Sequence, residues 1–135
     1  MPQSTNLSQS LEDYLEAIYH LIQEGKVARV KDVAARLGVQ MPSVTGAVRG
    51  LVKRGLVDHD PYSYITLTEK GDAIARDMVR RHEVLTHFLA TFLGLEADVA
   101  ERNACSVEHA IEPVVLDRLV EFIEHTETSP DASVR

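Results

Sequence analysis

Between residues 30 and 67 the chain alternates short apolar periods with glycine and proline, and few folds accommodate that rhythm. Val30, Val33, Ala34 and Leu37 recur at helical spacing and stop at Gly38. After the turn Val39-Gln40-Met41, Pro42 suits the first position of a second helix, in which Val44, Val48, Leu51 and Val52 form the inward face. Helices over 30–37 and about 42–54 are thus joined by a turn of three to four residues. That arrangement is a helix-turn-helix. The second helix turns Ser43, Thr45, Gly46, Arg49 and Lys53 outward. Thr45, Arg49 and Lys53 step by four and form one polar ridge, the kind a recognition helix presents to the major groove. Gly46 removes a side chain from that ridge and lets backbone approach a partner closely. Leu56 to His59 and Tyr64 to Leu67 then read as two short strands around Asp60-Pro61-Tyr62-Ser63. The expected arrangement is a winged helix-turn-helix, with His59 on the wing rather than among metal ligands.

The net charge of −7 argues against a nucleic-acid partner until its distribution is considered. Residues 26–81 hold eleven basic and six acidic residues, whereas the remainder holds three basic and fifteen acidic. A basic segment beside an acidic one predicts a part that faces double-stranded DNA and a part with other chemistry. With no Trp, three Phe and four Tyr, the chain lacks the material for a single-strand stacking platform. No apolar run approaches the roughly 18 residues that span a bilayer, and Met1 to Ser10 lacks the pattern of a secretory signal. A single Cys forms no internal disulfide, which fits a reducing cytoplasm.

Residues 1–10 read as a flexible arm. From Leu11 a helix with Leu15, Ile18 and Ile22 on its apolar face is expected, capped by Ser10 and stopped at Gly25. Its other face aligns Asp13, Glu16 and His20, although an acid in the first turn already satisfies the helix dipole. Thr68 can cap a long helix from about Glu69 to Leu93, stopped by Gly94, with His82 near its middle and His87 on the surface. A further helix from Ala97 carries Glu101, Cys105, Glu108, His109 and Glu112 along one stripe and buries Val99, Val107 and Ile111. Pro113 opens a last, nearly all-apolar helix, and residues 126–135 read as a frayed tail. So much apolar surface on short helices exceeds what one small lobe can hide, which predicts a homodimer. The implied domains are a winged helix over 1–75 and an all-helical dimerisation and metal-binding part over 76–125, giving a mainly α fold.

Cys105, Glu108 and His109 would share a helical face and offer sulfur, oxygen and nitrogen to a divalent first-row metal. A lone Cys is more often a small buried hydrophobe, and Glu-His on a helix is more often solvated surface. The decision rests on the rest of the chain.

From Leu11 to about Glu124 the chain resembles the metal-responsive repressors typified by the diphtheria toxin repressor and the manganese transport regulator. The resemblance rests on Asp13-Tyr14-Leu15-Glu16-Ala17-Ile18-Tyr19, Arg29-Val30-x-Asp32-Val33-Ala34, Pro42-Ser43-Val44-Thr45, Leu67-Thr68-x-x-Gly71, Arg81-His82-Glu83 and Cys105-x-x-Glu108-His109, in that order. It implies a transcriptional repressor with Mn2+ or Fe2+ as effector and ligands drawn from the first helix, the connecting helix and the dimerisation helix. The implied metal set is Asp13, Glu16, His82, Glu101, Cys105, Glu108 and His109. The implied DNA contacts are Gln40, Pro42, Ser43, Thr45, Arg49 and Lys53. The chain departs from both branches. Cys105 stands where the manganese branch has glutamate, Asp13 where the iron branch has methionine, Thr86 where that branch has glutamate, and Glu101 where it has histidine. The long members' SH3-like domain is not expected, so this reads as a short form with a mixed ligand set. A metal-independent winged-helix regulator sensing an organic ligand is the alternative. A metal-dependent hydrolase would need a general base beside an open coordination position, and no such signature is present, so neither an enzyme nor a membrane or organic-ligand partner is expected.

Overall fold

The computed structural model describes residues 7–60 and 63–128, so the wing tip at Pro61 and Tyr62, residues 1–6 and the tail from 129 lie outside the described residues. The chain forms two compact units, one running to Asp77 and one starting at Met78.

In the first unit, α1 (Gln9–Gln23), α2 (Val30–Leu37) and α3 (Met41–Lys53) precede an antiparallel hairpin of β1 (Val57–His59) and β2 (Ile65–Leu67). Val57 pairs with Leu67 and His59 with Ile65, and Ala28 bridges to Ile65. Leu15, Ile18, Val33, Val44, Leu51, Leu56 and Ile65 form its fully buried core. The helix-turn-helix and wing stand as the sequence predicts, with three local corrections. Ser8, not Ser10, caps α1, its Oγ accepting from Leu11 N at 3.2 Å, so helix replaces the end of the expected arm. Pro42 takes the second helical position rather than the first, because Met41 is already helical. Val52 is exposed, since α3 needs only Val44, Val48 and Leu51 to cover the core. Glu12, in the first turn of α1, is buried.

The α2–α3 turn works because Gly38 takes φ 68°, a left-handed conformation that costs a side-chain-bearing residue energy. A tighter constraint lies at α4 (Glu69–His87). Thr68 donates its hydroxyl to Gly55 O at 2.7 Å and accepts from Gly71 N at 3.0 Å, while Thr68 N donates to Leu56 O at 3.1 Å. These bonds draw the start of α4 against the entrance to β1. A Cβ at Gly71 would lie 1.9 Å from Leu56 O. The motif Leu67-Thr68-x-x-Gly71 is thus a steric requirement of the wing.

In the second unit, α4 ends at His87 instead of reaching Leu93 as one α-helix. Phe88–Phe92 forms a π-helical turn closed by Leu93 N donating to Phe88 O. The turn groups Phe88, Phe92 and Phe122 with ring centroids 5.8–6.3 Å apart. His87 lies at the surface as expected, where it meets Glu127 at 2.6 Å. α5 (Ala97–Val107) is shorter than the predicted stripe, with Glu108 at its C-cap, so His109 and Glu112 lie beyond the helix. Its buried positions are Ala100 and Ala104, whereas Val107, at its last turn, is exposed. α6 (Pro113–Thr128) continues as helix into the segment expected to fray. Val114, Val115 and Phe122 remain exposed, an apolar surface of the kind that marks an association face.

Candidate metal centre and nucleic-acid face

Glu101, Cys105 and Glu108 fall at i, i+4 and i+7 along α5 and therefore share one face. His82 reaches that face from α4. One ligand atom each from His82, Cys105 and Glu108 lies within 4.8 Å of the others. His82 Nδ1 is 2.6 Å from Glu108 Oε1, and its Nε2 is 2.8 Å from Glu101 Oε2. His109 Nε2 lies 3.7 Å from the second oxygen of Glu108. Contrary to the outward-pointing trio expected from helical spacing, Glu108 is 2% exposed and the His109 side chain 7%; only Cys105 of the three is at the surface.

A carboxylate buried this deeply needs compensating charge or hydrogen bonds. His82 and His109 supply part of it. Arg81, absent from the predicted set, donates to the Glu108 carbonyl oxygen at 3.3 Å and satisfies an acceptor at the helix C-terminus. Its one signal in the sequence was its place beside His82. Thr86, one turn beyond His82, has a buried hydroxyl without a hydrogen-bond partner among the described residues.

Burial alone would lower the pKa of His82, but the hydrogen bond and charge of Glu108, joined by those of Glu101, hold it above its ordinary 6.5. In the cationic form both ring nitrogens donate to carboxylates, so a metal must displace a proton. The sign follows. A raised pKa stabilises the metal-free fold fully below pH 6.5, and that contribution is lost as pH rises through the folded value. Metal affinity runs the other way. Competition titrations of Mn2+ with a chelating dye between pH 6 and 8.5 should show affinity rising with pH, and the rise should shrink in His82→Ala.

A thiol, a buried carboxylate and an imidazole form a donor set suited to a divalent first-row cation. His82, Cys105 and Glu108 fit that group directly, with His109 beside them. Glu101 joins through His82. Asp13 and Glu16 belong to α1 in the first unit, where Glu16 lies 3.6 Å from His20.

The residues expected to meet DNA all lie at the surface of the first unit. Gln40, Pro42, Ser43, Thr45, Arg49 and Lys53 are exposed along the start and outer face of α3. The Thr45 hydroxyl donates to Met41 O at 3.2 Å, which leaves its lone pairs for an external donor. Gly46 has nothing within 4 Å of a built Cβ, so its own fold does not require glycine there.

Residues 6–65 match the family model described as the iron dependent repressor, N-terminal DNA binding domain, and residues 68–134 match the iron dependent repressor, metal binding and dimerisation domain. The chain is 40% identical over 119 residues to an uncharacterised HTH-type transcriptional regulator of Methanocaldococcus jannaschii, covering 87% of this chain and 95% of that one. It is 35% identical to the HTH-type transcriptional regulator MntR of Lysinibacillus sphaericus, covering 90% and 87%. Among solved structures, the manganese regulator SloR is 32% identical with a TM-score of 0.75 over 84% of this chain. A manganese-dependent transcriptional repressor in complex with manganese is 35% identical with a TM-score of 0.72 over 81%. The chain spans about half the length of these two, 53% and 50%.

Proposed function

The chain belongs to the iron-dependent repressor family of metal-responsive, DNA-binding transcriptional regulators, and from that premise we propose that Mn2+ or Fe2+ is its effector and controls metal-homeostasis genes. The observation that carries the proposal is the convergence of His82, Cys105 and Glu108 within 4.8 Å around a buried carboxylate. His109 is proposed as a fourth donor, and Asp13 and Glu16 as carboxylates from α1 that complete the set, on the strength of the sequence resemblance. A bound cation supplies positive charge to this acidic group and stabilises Glu108 as the anion. His82, Cys105 and Glu108 fix its position, and Arg81 holds the helix end that carries Glu108.

The protein is proposed to act in the cytoplasm as a homodimer that sets two α3 helices into successive major grooves. The exposed Val114, Val115 and Phe122 support the dimer. Arg49 and Lys53 serve as principal contacts to bases or phosphates, with Gln40, Pro42, Ser43 and Thr45 around them. Metal and operator then bind with positive, reciprocal coupling.

Cys105 governs metal choice in this reading. A soft sulfur draws the site towards iron, whereas the surrounding carboxylates suit manganese. Operator binding titrated with Mn2+, Fe2+ and Zn2+ should show Cys105→Glu shifting the response towards Mn2+. An identical metal ranking for both proteins would remove Cys105 from the site.

Gly46 supplies an independent test of the DNA face. Gly46→Ala should stabilise the fold by about 0.5–1 kcal/mol, because a mid-helix glycine is replaced without a clash. The same variant should bind operator more weakly if DNA approaches that backbone. Thermal melts and gel shifts on one preparation measure both signs.

A further inference from the structure

His82 is the only one of the three converging side chains that offers two ligand atoms of divergent direction. One cation cannot use both ring nitrogens, because they face different edges of the imidazole. The nitrogen nearest the buried Glu108 is Nδ1, at 2.6 Å, and the Cys105 thiol lies within 4.8 Å of a ligand atom of each. The other nitrogen, Nε2, is held at 2.8 Å by Glu101, whose side chain is 58% exposed. The two carboxylates therefore have unequal positions: one is buried within the donor trio, and the other stands outside it at the far edge of the ring.

We infer that Glu101 is the positioning carboxylate of this centre, not one of its ligands: it accepts the Nε2–H of His82 and so leaves Nδ1, on the Glu108 side of the ring, to the cation. The inference rests on the metal-site reading above and deepens it. Its physical content is tautomer selection. A neutral imidazole carries one proton; once a cation takes Nδ1 beside Glu108, the anionic acceptor at Nε2 keeps that proton on Nε2. The spacing supports the division of labour. Glu101 and Cys105 sit one turn apart on α5, so a single helix face supplies both the thiol and the group that orients its imidazole neighbour. A half-exposed carboxylate suits this task, because it needs only to accept one hydrogen bond and remains solvated on its other side.

Co2+ titration of the full-length protein tests this, since the visible bands report ligand number and a near-ultraviolet band reports sulfur donation. Wild type, Glu101→Gln and Glu101→Ala should saturate at the same stoichiometry with the same bands. Glu101→Ala should bind about 10–100-fold more weakly, the range expected on losing an outer-sphere partner of a ligating histidine. Glu101→Gln, which keeps an acceptor oxygen, should lose distinctly less. Long-range proton–nitrogen spectra of the Zn2+-saturated protein should place the His82 proton on Nε2. Altered bands or stoichiometry in either variant would make Glu101 a ligand and overturn the inference. So would equal affinity in all three proteins, a Gln variant as weak as the Ala variant, or a proton on Nδ1. A wild-type spectrum without the sulfur band would instead refute the three-donor site itself, and with it this inference.

Discussion

Gly71→Ala should unfold the winged helix under conditions in which the wild type is stable. The added Cβ would lie 1.9 Å from Leu56 O and 2.8 Å from Leu56 C, and both are backbone atoms that cannot rotate away. Relief requires moving the start of α4, which breaks the Thr68 bonds to Gly55 and Leu56 that hold the hairpin. Overpacking usually costs about 1–3 kcal/mol and more where backbone must shift, so a loss of about 3 kcal/mol or more is expected. For a chain of this size that lowers the melting temperature by about 10 °C. Calorimetry or circular dichroism measures it directly, and a melting temperature within a degree or two of wild type would contradict the packing described here. Gly25, whose built Cβ meets nothing within 4 Å, provides a control: its φ of 80° strains a substitution without a clash, so Gly25→Ala should cost clearly less.

The second large effect is expected at Glu108. Its carboxylate touches His82 and lies beside His109, while its carbonyl accepts from Arg81. Glu108→Gln keeps the shape and one acceptor oxygen but removes the anion; Glu108→Ala removes both. Each should weaken Mn2+ binding by more than the roughly 10–100-fold typical of an outer-sphere residue. The metal-free fold should change little in the Gln variant, because losing a buried charge offsets the loss of its partners. Calorimetric Mn2+ titration and thermal melts in chelator separate the two effects. Wild-type Mn2+ affinity in Glu108→Gln would place the cation elsewhere.

The first unit was the more legible in sequence because its elements are bounded by local chemistry. Gly38 ends α2 where the apolar period ends, and the hairpin strands alternate between core and solvent. The second unit depended on contacts that periodicity does not encode. Helical spacing treats Glu108 as a surface carboxylate, yet it is buried against His82, 26 residues earlier. The resemblance, not the pattern, brought His82 and Glu108 into one set. His109 fell off α5 because the helix stops at Val107, a boundary with no glycine or proline to announce it. The π-helical turn at Phe88–Phe92 was equally silent, since one wide turn leaves the apolar spacing nearly unchanged. The role of Glu101 became visible only from which nitrogen of His82 it holds.

A cation held by His82, Cys105 and Glu108 is expected to promote DNA binding. DNA enriched from a random duplex pool by the wild-type protein with Mn2+ provides a probe, and fluorescence anisotropy with that probe provides the measurement. Wild type should bind it with Mn2+ or Fe2+, release it on addition of chelator, and recover when metal is restored, whereas Glu108→Gln should bind weakly throughout. Equal affinity with and without chelator, or a Glu108→Gln curve that overlays the wild type, would contradict the account.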